Sequence, residues 1–163
     1  MLKIRGIKFL IHTPANIQGI IMTNQVGEEW IPTFTLGVHH IGLTVPSLNE
    51  TKEFFVNVLG FKQVGEKPAY PAVFVSDGTI MITLWQAANS ELATKFDRHT
   101  NIGLHHIALA VPDVERLNAL HQRLSEVESV NIEFIPEPLG DGPTQHMMCA
   151  IPDGFRVEFI ARG

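Results

Sequence analysis

The residues in this sequence best suited to chemistry are His40, His106 and Glu158. The two histidines hold equivalent places in an internal repeat. Residues 36–46 read Leu-Gly-Val-His-His-Ile-Gly-Leu-Thr-Val-Pro, and residues 102–112 read Ile-Gly-Leu-His-His-Ile-Ala-Leu-Ala-Val-Pro, with seven of eleven positions identical. A repeat within one chain signals two copies of one structural unit. Two imidazoles and one carboxylate on adjacent strands form an open site for a divalent metal ion, with water or substrate in the remaining positions.

Each copy alternates as a half-buried strand does. Ile41, Leu43 and Val45 share one face, as do Ile107, Leu109 and Val111. The opposite face carries His40, Gly42 and Thr44 in the first copy and His106, Ala108 and Ala110 in the second. A histidine followed by small residues leaves space, as in a strand that lines a cavity. His39 and His105 then point to the helix side or the strand edge, where bonds to backbone are expected.

The elements that position these strands follow in the same order twice. Ser47 is a natural N-cap with Glu50 three residues on, opening a helix to about Leu59 that Gly60 closes. Strands are expected near 61–65, 72–76 and 80–86, the last two joined at Asp77-Gly78. In the second copy Asp113 caps a helix to about Leu124, and strands follow near 132–135, 145–150 and 156–161, with a turn at Asp153-Gly154. Pro136–Pro143 reads as a loop rimming the enclosed space. The fold class is α+β: two β-α-β-β-β modules forming a cupped, barrel-like mixed sheet with helices outside. The modules span 36–87 and 102–163, joined by a connector at 88–101, and residues 1–35 read as an N-terminal extension or arm.

In the last strand Val157, Phe159 and Ala161 take the helix-facing side, leaving Arg156, Glu158 and Ile160 on the other. A carboxylate between Val157 and Phe159 is either exposed or buried with a strong partner. In the first unit, matching helix-facing residues places Thr83 opposite Glu158, whereas counting from the Asp-Gly turns places Ile82 there. Thr83 is preferred, because Ile82 belongs with the apolar face. The candidate pocket residues are Thr83, Trp85, His146, Met148 and Arg156. Arg156 either anchors an anionic substrate or forms an ion pair at the strand end, and Cys149 faces the helix as an inert thiol.

Composition sets outer bounds. The chain has 163 residues, net charge −5 and one cysteine. That is enough chain for one domain or two modules sharing a core, and the lone cysteine excludes an internal disulfide. No basic cluster suggests nucleic acid, and no apolar run approaches the roughly 20 residues that span a bilayer. A cytoplasmic protein with a small-molecule partner is expected.

These marks together resemble the vicinal oxygen chelate superfamily: the two His-His-Ile strands, Leu59-Gly60-Phe61 after the first helix, and Pro152-Asp153-Gly154 leading to Glu158. The superfamily includes glyoxalase I, methylmalonyl-CoA epimerase, extradiol dioxygenases and bleomycin-type resistance proteins. The resemblance covers about residues 36–162. It implies metal corners at His40, Thr83, His106 and Glu158, a divalent ion (Zn, Ni, Co, Mn or Fe(II)), Glu158 as both ligand and base, and a homodimer. Thr83 departs from glyoxalase I and the epimerase, which fill all four corners with His, Gln or Glu. Extradiol dioxygenases use two histidines and a glutamate, yet their signature tyrosine falls at Met148. Their histidine near Leu139–Asp141 is missing, while His146 stands two residues before Met148.

Three readings follow. The first is a metal-dependent glyoxalase-like enzyme of lyase or isomerase type. The second is an Fe(II) extradiol-type dioxygenase. The third is a non-catalytic, resistance-type protein that binds a drug or metabolite.

Overall fold

The computed structural model describes residues 34–162. The N-terminal extension expected over 1–35 therefore lies almost wholly outside the described residues. From Val38 onward the chain runs β1 (His40–Val45), α1 (Leu48–Glu53), β2 (Lys62–Lys67), β3 (Ala72–Ser76), β4 (Met81–Gln86), β5 (Ile107–Val111), α2 (Val114–Ser125), β6 (Asn131–Pro138), β7 (Gln145–Ala150) and β8 (Arg156–Ala161). The β-α-β-β-β order occurs twice.

Each unit makes one four-stranded mixed sheet, ordered β1-β4-β3-β2 and β5-β8-β7-β6. In both, the first strand pairs parallel with the last, and the middle pairings are antiparallel. β1 and β5 are edge strands, so within this chain the sheets stay separate and do not close into one barrel. The apolar faces behave as their alternation dictates: Leu43, Val45, Ile107, Val157 and Phe159 are buried, while Gly42, Thr44, Ala108 and Ala110 are exposed. Burying that face is the main driving force for assembling each unit. Residues of both units enter one core cluster with Phe54, Phe55, Leu117 and Leu124.

Local signals explain the helices. Ser47 Oγ accepts from the Glu50 amide at 3.4 Å, and the Leu48 amide donates to Gln86 Oε1 at 3.0 Å. α1 is shorter than its pattern suggests, because Phe54–Val58 widens into a π-helical turn. That turn seats consecutive residues Phe54 and Phe55 in the core, with ring centroids 5.6 Å apart. Gly60 then ends it at φ +79°, a conformation a side chain resists. At the start of α2, Asp113 accepts from the Arg116 amide at 2.7 Å, a direct N-cap.

Two boundaries differ from expectation. β5 begins at Ile107, leaving Leu104–His106 as its approach. β6 runs to Pro138, so the first three residues of the expected Pro136–Pro143 loop are strand. Register shifts between Ile132 and Phe134, and between Phe134 and Glu137, let this edge strand carry prolines.

Two glycines make room for aromatic rings on the first sheet. A Cβ on Gly65 would lie 2.9 Å from Phe74 Cδ2, and one on Gly42 would lie 3.2 Å from Thr83 Oγ1. Gly65→Ala is therefore expected to lower stability by about 1–2 kcal/mol in urea unfolding. Adding Phe74→Leu should recover part of the loss; full stability in the single variant would contradict the packing described.

Candidate metal and acid–base site

The second sheet brings two imidazoles to one carboxylate. Glu158 lies on central strand β8, opposite Ala108 of β5 and Met148 of β7. It is only 9% exposed. Its two oxygens face two different imidazoles: His106 Nε2 stands 3.3 Å from Oε2, and His146 Nδ1 stands 2.5 Å from Oε1. His146 sits two residues before Met148 on β7, which puts it on the same face. Phe134 packs on its ring with centroids 4.9 Å apart. Ala108 and Ala110 add little bulk to this face, which leaves it open.

A carboxylate only accepts hydrogen bonds, so the ring atoms facing it carry the protons. His106 in its neutral form then has a lone pair on Nδ1. His105 Nδ1 lies 2.8 Å from it and donates. The first unit repeats this dyad, with His39 Nδ1 and His40 Nδ1 2.9 Å apart. The expectation that His39 and His105 bond to backbone is thus corrected: both are exposed, and each turns to the ring beside it.

His40 lies on the other sheet, exposed, and its hydrogen bond is to His39. Among the described residues, no group of three or more His, Cys, Asp or Glu is arranged to hold a metal ion. Within one chain, then, His106 and Glu158 come together, His146 joins them, and His40 does not.

The first unit fills the corresponding place differently. Gly42 pairs with Thr83 as Ala108 pairs with Glu158, so Thr83 is the counterpart of Glu158 in register and Ile82 is core. The Thr83 hydroxyl accepts from Trp85 Nε1 at 2.9 Å and donates to the Ile41 carbonyl at 3.4 Å. Its bonding is spent on holding the indole. Trp85 stacks obliquely with Tyr70 and Phe74, centroids 5.4 and 5.9 Å away.

Of its two readings, Arg156, the first residue of β8, takes the ion pair, though a buried one. It is 8% exposed, and its Nε lies 2.8 Å from both oxygens of Glu133 while Nη2 lies 2.8 Å from Oε2. Arg98 adds a longer contact of 3.6 Å. The Arg156 hydrogen bonds hold the Glu133 carboxyl below its ordinary range, against a desolvation that pushes the other way. Desolvation, and after it the Arg156 charge, lowers His105. Cys149 is fully buried and its thiol is pushed up to about 12 by that burial, in keeping with an inert thiol. Glu133 escaped the sequence reading. Its one signal is a charge inside the apolar run Ile132–Ile135, and only the register shift beside it decides which way it turns.

Comparison with known proteins is consistent with this architecture. The family profile of the Glyoxalase/Bleomycin resistance protein/Dioxygenase superfamily matches residues 37–159. A catechol-2,3-dioxygenase from Bacillus subtilis is 31% identical over 120 residues, covering 69% of this chain but only 39% of that enzyme. A 2-epi-5-epi-valiolone epimerase from an Actinomyces species is 26% identical over 152 residues, covering 77% of this chain and 79% of the epimerase. The crystal structure of a glyoxylase/bleomycin resistance protein/dioxygenase domain from Frankia superposes with a TM-score of 0.67 at 21% identity, covering 79% and 93% of the two chains.

The Arg156–Glu133 pair gives a pH signature. A carboxyl whose folded pKa is lowered stabilises the fold above its unfolded value, near 4.5, and that stability is lost as pH falls through the folded value. Glu133→Gln should cost about 2 kcal/mol at neutral pH. The gap to the parent should narrow below the ordinary carboxylate range. Denaturation midpoints followed across pH test this, and a gap that is constant with pH would rule it out.

Proposed function

Given that the chain belongs to the Glyoxalase/Bleomycin resistance protein/Dioxygenase superfamily, we propose that it is a divalent-metal-dependent, glyoxalase-like enzyme of lyase or isomerase type. Its substrate is a small molecule that chelates the ion through neighbouring oxygens. The observation that carries this reading is the Glu158 carboxylate, nearly buried between His106 and His146 on an otherwise open face. Imidazole nitrogen with carboxylate oxygen is a donor set that borderline divalent ions accept, so the chemistry of the residues fits the group.

In this reading His106 would turn to the tautomer protonated on Nδ1, freeing Nε2 to hold the ion together with Glu158, and His40 of a second copy would supply a third donor. The exposed edges of β1 and β5 support that arrangement. Val38, two residues before β1, is 71% exposed, and Ile102, five residues before β5, is 107% exposed. A homodimer that sets β1 of one copy along β5 of the other covers these side chains. When bound, the ion supplies Lewis acidity toward the substrate oxygens. Exchanging from ligand to base, Glu158 would take the proton from the carbon beside those oxygens and return it to the product, with His146 Nδ1–H holding the carboxylate in place. Trp85, anchored by Thr83, offers an apolar wall on the first unit's open face. The broad match to an epimerase, across 79% of its length, supports proton-transfer chemistry.

An Fe(II) extradiol-type dioxygenase is the second reading. It is favoured by the spent hydroxyl of Thr83, which leaves two histidines and one carboxylate as donors.

Metal analysis of chelator-free protein should find about one divalent ion per chain. His106→Ala should remove it, while Thr83→Val should retain it. Metal-free protein that takes up no added ion, with any ligand binding unaffected by His106→Ala, would favour the non-catalytic binding reading instead. Oxygen uptake with catechols on anaerobically iron-loaded protein separates the two enzymes, since the lyase or isomerase reading expects none. For the assembly, Val38→Asp combined with Ile102→Asp should shift sedimentation from dimer to monomer and weaken metal retention at least tenfold. An unchanged dimer would place the interface elsewhere.

A further inference from the structure

A cavity lies away from Glu158, at the junction of the two units. Its volume is about 520 Å³, within the range that holds small organic ligands. Thr44 and Pro46 at the end of β1, Lys95 and Phe96 in the β4–β5 connector, and Asp153 and Phe155 in the β7–β8 turn contribute to its lining. His106, His146 and Glu158 take no part in it.

Two residues of opposite charge, the exposed Lys95 and the half-buried Asp153, line this space without pairing. Lys95 makes no ion pair among the described residues. Asp153 Oδ2 accepts from the buried Thr51 hydroxyl, while Oδ1 has no partner among the described residues. Asp153 is also the one non-glycine among the described residues with positive φ, at +78°. Such strain persists where the surroundings enforce it, and it gathers at binding sites. Here the Gly154 amide bonds to the Ile151 carbonyl at 2.9 Å and Thr51 fixes one carboxylate oxygen, so the turn holds Asp153 in the cavity lining. Burial pushes the Asp153 carboxyl upward, the Thr51 hydrogen bond opposes that, and the nearby Glu50 charge adds to the rise. Beside these charges, the Phe96 and Phe155 rings meet at 5.2 Å and 36°, forming an apolar wall.

A separated cation and anion beside an aromatic wall complement a ligand that carries both charges and an apolar side chain. We propose that this cavity binds a free apolar α-amino acid. The ligand's carboxylate faces Lys95, its ammonium faces Asp153 Oδ1, and its side chain rests on Phe96 and Phe155. A plain carboxylic acid leaves Asp153 facing a like charge. A plain amine leaves Lys95 unmatched. The site stands independently of the metal-centre reading above.

Calorimetric titration of the full chain with L-leucine and L-phenylalanine tests this, with isocaproate and isoamylamine as the analogues of leucine lacking one charge. At least one amino acid should bind, and each analogue should bind at least tenfold more weakly than leucine where leucine is the ligand. Lys95→Met and Asp153→Asn should each weaken amino-acid binding about tenfold. Asparagine tolerates positive φ and still accepts from Thr51, so that variant keeps the turn. Neither variant should change metal uptake through His106, so failure here is distinguishable from failure of the metal site. No heat with either amino acid at millimolar concentration, or binding unaltered in both variants, would overturn the proposal.

Discussion

The parallel pairing of each unit's first strand with its last is the constraint from which the rest of the structure follows. It places Ala108 beside Glu158 and, in the same register, Gly42 beside Thr83. Side chains alternate along a strand, so a slip of one residue would turn Glu158 into the core and Val157 into the open face. The apolar set of Val157, Phe159, Leu43 and Val45 holds the register, because its burial would be lost in any slip. The site is therefore positioned by hydrophobic alternation, and the polar groups occupy what that alternation leaves over.

The two units share a scaffold and divide the labour. The second gathers charge: Glu158 between two imidazoles, with Arg156 neutralised by Glu133 on the same sheet. The first gathers aromatic surface, with Trp85, Phe74 and Tyr70 arranged around the Thr83 hydroxyl. The Gly42/Ala108 difference within the repeat has its explanation here. Thr83 Oγ1 and the Trp85 indole crowd the space above Gly42, where even a methyl group is tight, while Ala108 is left exposed on the other sheet.

The units are held together through their outer elements. Thr51, fully buried on α1, bonds to Asp153 in the β7–β8 turn, and Arg123 on α2 donates to the Asn57 carbonyl at 2.6 Å. With the shared core, these contacts join the two units, while β1 and β5 each lie at the edge of their own sheet. The His40 face and the Glu158 face therefore belong to separate sheets of the chain.

Much of this was legible in the chain itself. The repeat, its alternation, the caps at Ser47 and Asp113 and the Asp-Gly turns determine the element order, the buried face and the equivalence of Thr83 and Glu158, because these depend on neighbours in sequence. Tertiary structure alone decided that Arg156 is bound to Glu133, that His146 takes one oxygen of Glu158, and that His40 stands apart. Those outcomes depend on a bulged edge strand and on how two sheets are placed in space. Alternation along a strand tells which face a side chain takes, but it carries no information about what stands across from that face.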